Sequence, residues 1–381
     1  MLRYATYLFV LLTCYLLACG RPSLPATEPA PPAVANEPDL RDRYARPVSE
    51  WPAATLDSGV IAAPLGPLPD RPPVTARERA AIKLGKQLFF DPRLSSSNQI
   101  SCSSCHDPER GWGDGKRQSV GHDHQLGARN APTLLNTDQW TSFFWDGRAA
   151  TLQEQVMGPL THAREMNENT ETLSGELQRV PAYAAAFKRI YGTETIQLTD
   201  IAEAIVSYEQ SIRSRVSRFD QFMEGNHDAL TEEQIRGLHL FRTKARCLNC
   251  HNGPLFSDQQ FHNNGQHLLG RPQQDLGRFE VTGDSADLGK VRTPMLRDIF
   301  FTGPYLHHGN ILELHEVITM YNNGMPQRVP GSVRKTGVKI PVHDPLLRPL
   351  HLTDGEMDDL LAFLESISTR PRPVSVPQRW E

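Results

Sequence analysis

Two short motifs in the sequence place thiol and imidazole side chains at a fixed spacing. They read Cys-Ser-Ser-Cys-His at residues 102–106 and Cys-Leu-Asn-Cys-His at residues 247–251. In a Cys-x-x-Cys-His motif the two thiols add across the vinyl groups of a haem, and the adjacent histidine binds the iron from one face. Two chance matches in one chain are improbable. The sequence therefore predicts two covalently attached c-type haems, with His106 and His251 as proximal iron ligands.

A zinc site or a redox-active dithiol is the main alternative for such cysteine pairs. The histidine that follows both pairs, and the helical pattern that leads into each, disfavour it. Of the six cysteines, two lie near the N-terminus and four belong to the motifs: Cys14 and Cys19, then Cys102, Cys105, Cys247 and Cys250. No cysteine remains for a structural disulfide, and spare thiols would be a liability in an oxidising compartment.

The N-terminal residues have the pattern of an export signal. Arg3 supplies a positive charge before the apolar run at residues 4–17, which is short for a membrane span. The run leads into Leu-Leu-Ala-Cys, which resembles a lipobox whose cysteine, Cys19, becomes lipidated. We therefore expect residues 1–18 to be a lipoprotein-type signal peptide, and the protein to lie in the periplasm, lipid-anchored to a membrane through Cys19. An ordinary cleaved signal and lipidation at Cys14 are the alternatives.

The composition after the signal divides the chain into a linker and two folded regions. Residues 19–72 are rich in proline and alanine and lack helical or strand periodicity, which predicts an extended, mobile linker. An N-terminal haem domain is expected at residues 73–230 and a C-terminal haem domain at residues 231–381. The formal net charge of −4 offers no basic face, so no nucleic-acid partner is expected. Contact with a membrane is expected only through the lipid anchor.

Each haem motif is preceded by a predicted helix with the same signature. Capping boxes begin the two helices at Thr75 and Thr231, and both helices contain Gly-x-x-Leu-Phe, starting at Gly85 and Gly237. A third capping box opens a predicted C-terminal helix, and residues 199–223 are expected to form one long amphipathic helix. Extended strand patterns are scarce. We therefore expect a mainly α protein of two cytochrome-c-like haem domains.

Further blocks of sequence resemble the bacterial di-haem cytochrome c peroxidases and their MauG-like relatives. The blocks are Ser119-Val-Gly-His122, Gly127-Ala-Arg-Asn130-Ala-Pro-Thr-Leu, Phe144-Trp145-Asp146-Gly147-Arg148, Glu165-Met166, Arg292-Thr-Pro-Met-Leu-Arg297 and Thr302-Gly-Pro304-Tyr305-Leu-His307. In that family a peroxidatic haem occupies the N-terminal domain and an electron-transfer haem occupies the C-terminal domain. The resemblance implies the same division here.

The resemblance implies roles for four residues near the N-terminal haem. His122 would be a distal iron ligand that blocks the haem at rest and leaves when the other haem is reduced, and His124 is close enough to compete with it. Glu165 would be the acid/base for peroxide, Gln155 would hydrogen-bond bound peroxide, and Trp145 would relay electrons between the haems. Without the resemblance, His122 would be interpreted as a surface histidine, Glu165 as a solvated charge and Trp145 as a core residue.

The resemblance also implies a calcium ion between the two domains. Its protein ligands would be the side chain of Asn130 and the backbone carbonyls of Thr302 and Pro304. Oxygen ligands of this mixed kind suit calcium. Two covalently bound haem c groups and one calcium ion are thus the expected cofactors.

One position departs from the classical peroxidases, in which a methionine is the sixth ligand of the C-terminal haem. The corresponding residue here is Tyr321, as in MauG-like members, with Met320 beside it and Met325 beyond Gly324. Neighbouring residues on a helix point about 100° apart, so only one of Tyr321 and Met320 can face the iron. We expect Tyr321 to be the ligand. An anionic tyrosinate would lower the potential of this haem relative to a neutral thioether.

The expected function is that of a cytochrome c peroxidase. Such an enzyme reduces hydrogen peroxide to water with electrons from a small periplasmic cytochrome c or copper protein. Tyr321 motivates an alternative, a MauG-like oxidase that acts on aromatic residues of a partner protein. A non-enzymatic di-haem electron carrier is disfavoured, because Glu165 and Gln155 would then have no task. The sequence leaves open the identity of the donor and whether the chain forms a homodimer.

Overall fold

The computed structural model describes residues 39–335 and 337–381. The predicted signal peptide, Cys19 and the first part of the predicted linker, up to residue 38, lie outside the described residues. Residues 39–381 form one compact unit. Within the described ranges, no helix has the length and apolar character that crossing a bilayer requires.

Helices dominate the described chain, as the sequence predicts. In chain order they are α1 (Leu40–Tyr44), α2 (Ala76–Phe89), α3 (Leu152–Thr161), α4 (Thr170–Gln178), α5 (Pro181–Tyr191), α6 (Leu198–Glu209), α7 (Arg218–Met223), α8 (Glu232–Arg242), α9 (Phe279–Thr282), α10 (Leu314–Asn322), α11 (Gly331–Arg334) and α12 (Asp354–Ser366). The sheet in the described residues is one short antiparallel pair, β1 (Phe261–His262) and β2 (Val291–Arg292), with Phe261 opposite Arg292. The mainly α prediction is confirmed.

Three of the predicted capping residues begin helices in the structure, and the boxes at Thr231 and Thr353 are complete, whereas the Glu78 carboxylate pairs with Arg71 instead of closing the box at Thr75. The hydroxyls of Thr75, Thr231 and Thr353 accept hydrogen bonds from the backbone N–H three residues later, at 3.2, 3.4 and 3.3 Å. These caps satisfy N–H groups that the first turn of a helix leaves without partners. They begin α2, α8 and α12, which all contribute to the two cores.

The repeated Gly-x-x-Leu-Phe sequence marks two close helix crossings. A Cβ at Gly85 on α2 would lie 1.8 Å from the carbonyl oxygen of Ala204 on α6. A Cβ at Gly237 on α8 would lie 2.0 Å from the carbonyl oxygen of Asp359 on α12. Only glycine allows backbones to approach this closely. The pairs α2–α6 and α8–α12 are therefore equivalent halves of a structural repeat, each placed beside one haem motif.

Two large clusters of buried apolar side chains follow from these helix pairs. The N-terminal core joins α2, α5 and α6 through residues such as Leu88, Phe187 and Ile205. The C-terminal core joins α7, α8 and α12, and includes Phe219, Phe222, Leu238, Phe241, Phe256 and Phe363. Because Phe219 and Phe222 belong to the C-terminal core, that core begins before the predicted boundary at residue 231.

The predicted helix over residues 199–223 is wrong, because the structure divides it. α6 ends at Glu209, and a new helix, α7, begins after Ser217, whose backbone and side chain bond the Asp220 carboxylate at 2.8 Å. The Asp220 carboxylate also accepts two hydrogen bonds from the Arg297 guanidinium, at 2.9 and 3.0 Å, in a buried ion pair. The break orients Asp220 towards Arg297. A continuous amphipathic helix would not need this orientation.

The prediction of a mobile linker is wrong for residues 39–72. Tyr44, Trp51 and Leu65 are buried in the C-terminal core. The guanidinium of Arg242 lies over the Tyr44 and Trp51 rings at 5.5 and 5.0 Å. Burial of two large aromatic side chains offsets the conformational entropy that ordering the segment costs. The composition predicted an extended, mobile segment, but these few apolar residues hold it against the C-terminal core.

The C-terminal segment leads from the C-terminal core back to the N-terminal core. After α12 the chain returns to the N-terminal core, where the Trp380 ring lies 4.9 Å from the Tyr183 ring. Arg93 donates to the Trp380 carbonyl at 2.8 Å and also pairs with Asp91. The tail therefore ties the C-terminal half of the chain to the N-terminal half.

Trp380→Ala tests this attachment. The substitution removes a large, partly buried ring, so we expect a loss of about 1–3 kcal/mol in the free energy of unfolding. Denaturant unfolding followed by circular dichroism measures it. Arg379→Ala is the matched control, because Arg379 is exposed. Equal midpoints for the two variants would contradict a docked tail.

Candidate haem-binding and catalytic site

The two Cys-x-x-Cys-His motifs adopt the same tight turn. The backbone N–H of His106 donates to the Cys102 carbonyl at 3.0 Å, and that of His251 donates to the Cys247 carbonyl at 2.8 Å. A turn of this kind brings two thiols and an imidazole to one side of the backbone. That arrangement is the one a haem edge requires for two thioether bonds and one axial ligand.

Both motif histidines are oriented by a backbone carbonyl. Nδ1 of His106 lies 2.9 Å from the Trp112 carbonyl oxygen, and Nδ1 of His251 lies 3.0 Å from the Phe256 carbonyl oxygen. Each Nδ1 therefore carries the proton, which leaves Nε2 to bind a metal. Burial lowers the pKa of both imidazoles, so the neutral form that a metal ligand needs is favoured.

The four motif thiols are kept neutral by their surroundings. Burial raises the pKa of Cys105 to about 11 and those of Cys247 and Cys250 to about 12, and it raises the pKa of Cys102 as well. Protonated thiols resist the oxidation to which thiolates are prone.

The first motif forms part of the wall of a cavity of ≈ 840 Å³. Cys102, Cys105 and His106 line it, and so do Gln155 and Glu165 from α3 and the segment that follows. The volume falls within the range of about 300–1,000 Å³ that is usual for cofactor and ligand sites. The two thiols, the oriented imidazole and the enclosed space fit a haem.

Glu165 and Gln155, the predicted acid/base and hydrogen-bonding residues, share this cavity wall. The Glu165 side chain is about one-third exposed, and one of its carboxylate oxygens lies 3.5 Å from Nδ1 of His162. The side-chain oxygen of Gln155 is buried and has no hydrogen-bond partner among the described residues. The structure thus brings a carboxyl and an amide with spare hydrogen-bonding capacity to the wall that holds His106.

His122 does not line the cavity. Its Nδ1 lies 3.5 Å from the Ser96 hydroxyl, and its Nε2 lies 3.4 Å from the Asp123 carboxylate. The preceding Gly121 does line the cavity. A Cβ there would lie 2.0 Å from the Arg164 carbonyl oxygen, so the loop packs closely against the backbone at that residue. His124 is exposed. An iron-ligand role for His122 stays a prediction, and it requires the imidazole to move from this position.

The second motif borders a smaller cavity of ≈ 100 Å³. His251 and Tyr321 line it, whereas Met320 and Met325 do not. Burial raises the pKa of the Tyr321 hydroxyl. Met325 is fully buried elsewhere. Of the three predicted candidates for the sixth ligand, Tyr321 is the one that the structure brings to the wall with His251.

Trp145 lies between the two cavities, because it lines both. Its indole N–H donates to the Asn130 carbonyl at 2.9 Å, and its ring meets the His307 ring edge-to-face at 6.2 Å. The indole is therefore held from two sides. The position is the one that an electron relay between two haems would need.

The predicted calcium ligands also lie together. Asn130, Thr302 and Pro304 all line the second cavity, and Asn130 is buried. The Asn130 amide nitrogen donates to the Lys116 carbonyl at 2.9 Å, which directs the amide oxygen to the other side. The set offers the oxygen atoms that calcium prefers. Calcium binding stays a prediction.

Arg292 is a buried cation to which the sequence analysis assigned no role. It is 5% exposed, its guanidinium lies 4.2 Å from the Trp140 ring centre, and it lines the cavity that contains His251. Burial lowers its pKa to about 10, so the group stays charged at neutral pH. No carboxylate of the described residues pairs with it. An unpaired buried cation is costly, and this cavity therefore fits an anionic group such as a haem carboxylate.

Glu209 is a second buried ionisable group to which the sequence pattern assigns no role. It ends α6, is 4% exposed and lines the first cavity with Cys102. The available signal was its position four residues after Ile205, on the apolar face of the helix, where a glutamate is out of place. In the sequence it could not be distinguished from a solvated charge at a helix end.

Comparison with known proteins gives two kinds of relative. Residues 79–228 match the family model of the di-haem cytochrome c peroxidases. The chain is 35% identical over 339 residues to cytochrome-c peroxidase IdrP1 of Denitromonas iodatirespirans, which covers 80% of this chain and 86% of the relative. It is 34% identical over 298 residues to the methylamine utilization protein MauG of Methylophilus methylotrophus, with coverage of 77% and 84%.

A solved structure supports the same grouping. A MauG-like protein associated with microbial copper homeostasis superposes with a TM-score of 0.68 and 28% identity, over 82% of this chain and 96% of that one. The predicted mainly α haem-protein fold is therefore confirmed by likeness as well as by helix content. Peroxidases and MauG proteins both occur among the relatives.

Tyr321→Phe tests the choice of sixth ligand. If the phenol oxygen binds the C-terminal iron, its removal changes the low-temperature EPR signal of that haem. Met320→Leu is the matched control, since the neighbouring side chain does not line the cavity, and its signal should equal that of the wild type. A Tyr321→Phe protein with an unaltered signal would exclude the tyrosine as ligand.

Proposed function

We propose that this chain, which belongs to the di-haem cytochrome c peroxidase family, reduces hydrogen peroxide to water with electrons from a small periplasmic cytochrome c or copper protein. The observation that carries the proposal is the first cavity, where Glu165 and Gln155 share a wall with His106. Two haems are implied by the family, and we propose that the cysteines of both motifs attach them covalently. An electron carrier has no need for a cavity equipped in this way.

The proposed roles of the protein side chains follow from their hydrogen-bonding capacity. Reduction of one peroxide molecule consumes two electrons and two protons and yields two water molecules. Gln155 positions peroxide through its unpartnered side-chain amide. Glu165 takes the proton from one peroxide oxygen and returns it to the oxygen that leaves. A bound haem supplies the iron at which the O–O bond is cleaved and through which single electrons arrive.

The position of His122 supports an accessible cavity. Its imidazole faces Ser96 and Asp123 rather than the cavity that Glu165 and Gln155 line. Peroxide can therefore approach the carboxyl and the amide without competition from this histidine. We propose that the conformation described here corresponds to the open form, and that binding of His122 to iron would produce the blocked form.

Electrons are proposed to cross from the C-terminal to the N-terminal haem by way of Trp145. The indole lines both cavities and is fixed by the Asn130 carbonyl. A rigid aromatic ring at this place shortens the distance over which an electron must pass through saturated groups. The donor protein would deliver electrons at the C-terminal haem.

A MauG-like oxidase is the second candidate function. Tyr321 beside His251 favours it, and a MauG protein is among the relatives. In that case oxidising equivalents would travel outwards past Trp145 to aromatic side chains of a partner protein. The two candidates use the same cavity and differ in whether a donor protein or a target side chain supplies the electrons.

Glu165→Gln tests the peroxidase proposal. With peroxide and a reduced small cytochrome c, we expect the wild type to turn over and the variant to lose about 10²–10⁴-fold in kcat/KM, because the amide cannot exchange a proton. Stopped-flow absorbance of the donor measures this. Glu194→Gln is the control, since Glu194 is exposed on the surface. Negligible donor oxidation by the pre-reduced wild type would favour the MauG-like candidate instead.

We further propose that the protein is exported to the periplasm and anchored through a lipid on Cys19. The lipobox-like sequence before that residue motivates the proposal. Cys19→Ser should move the protein from the membrane fraction to the soluble periplasmic fraction, whereas Cys14→Ser should leave it in the membrane fraction. Immunoblots of the separated fractions decide the matter, and an unchanged distribution in the Cys19 variant would contradict the anchor.

A further inference from the structure

Glu209 is a buried carboxyl for which the proposed peroxide chemistry has no use. It is 4% exposed, and its Oε2 atom is buried without a hydrogen-bond partner among the described residues. It is the last residue of α6, where the partial negative charge of the helix end disfavours a further negative charge. No cation of the described residues pairs with it. A carboxyl in such a place costs stability, which suggests a function.

Burial, and no neighbouring charge, accounts for the raised pKa of Glu209. Its own helix and the helices packed most closely against it carry the following ionisable side chains: Asp200, Glu203 and Tyr208 on α6, Arg77, Glu78, Arg79, Lys83 and Lys86 on α2, Glu154 on α3, and Glu171 and Glu176 on α4, with the Asp138–Arg213 ion pair and Cys102 in addition. Of these, Cys102 is the one coupled to it, since the Glu209 charge helps to raise the pKa of that thiol. The carboxyl therefore responds chiefly to burial and to the group at Cys102.

Burial gives Glu209 an unusual protonation range. It raises the pKa of this carboxyl to about 8, whereas an ordinary glutamate is charged well below neutral pH. A modest change in nearby charge is then enough to load or unload a proton near neutral pH. The thioether that the sequence predicts at Cys102 would bring a haem, and with it a change of charge, to this side of the carboxyl.

We propose that Glu209 takes up one proton when the haem attached to Cys102 and Cys105 is reduced, and releases it when that haem is oxidised again. The inference rests on the proposed haem attachment and deepens the proposed function. Each electron from the donor protein is matched by one proton from solvent, so the net charge of the cavity does not change. The proton released on reoxidation contributes to the two that the reduction of one peroxide consumes.

The direction of the coupling follows from electrostatics. The oxidised haem carries one more positive charge than the reduced haem, and this charge stabilises the Glu209 carboxylate and lowers its pKa. Reduction removes the charge, so the pKa rises and a proton binds. By reciprocity, the carboxylate stabilises the oxidised haem. The reduction potential must therefore fall as pH rises between the two pKa values of Glu209, and stay level outside that window.

Spectroelectrochemical titration of the N-terminal haem over about pH 5 to 9 tests the proposal without peroxide. In the wild type the potential should fall by as much as about 59 mV per pH unit, because one proton accompanies one electron. In Glu209→Gln the fall should disappear. The variant should match the wild type at low pH and have the higher potential at high pH, where the wild type bears the carboxylate.

Two further variants make the result interpretable. Glu203→Gln removes an exposed carboxyl from the same helix and should titrate like the wild type. Glu209→Asp retains a carboxyl and should retain a pH-dependent step, which also serves if the glutamine variant does not assemble with haem. An unchanged pH dependence in Glu209→Gln, or its loss in Glu203→Gln, would overturn the proposal. Peroxide turnover is not involved, so failure here leaves the peroxidase proposal standing.

Discussion

The close crossing of two helices at a glycine is the constraint on which the rest of the structure depends. At Gly85 against Ala204, and again at Gly237 against Asp359, backbone meets backbone with no room for a side chain. Each crossing builds one apolar core and presents one Cys-x-x-Cys-His turn beside it. A bulkier residue would separate the helices and displace the cavity wall that each pair supports. The two predicted haem sites therefore depend on the same kind of helix crossing.

The two sites nevertheless differ in what surrounds them. The first cavity is large and contains a carboxyl and an amide with unused hydrogen-bonding capacity, as a site for a small polar substrate requires. The second is small and brings Tyr321 to the wall with His251. Trp145 belongs to both walls. The Trp140 indole also lines both cavities, so the two sites share part of their walls.

Local chemistry explains which expectations the structure bears out. The N-cap hydrogen bond at Thr75, Thr231 or Thr353 is made within one helical turn, so it can be predicted from sequence. The prediction of a mobile linker was wrong because the docking of Tyr44 and Trp51 depends on a core that lies far along the chain. The prediction of a single helix over residues 199–223 was wrong for the same reason, because the ion-pair partner of Asp220, Arg297, is also distant in sequence.

The sequence by itself determined the two attachment motifs, the mainly α architecture and the family, because these depend on residue types at short, fixed spacings. Only the tertiary structure decided which of Tyr321, Met320 and Met325 lines the cavity with His251. Only it revealed that Arg292 and Glu209 are buried ionisable groups without an ion-pair partner among the described residues. Burial and pairing are set by residues distant in sequence, so the energetic cost of a charge, and the function it suggests, become visible only after the chain has folded.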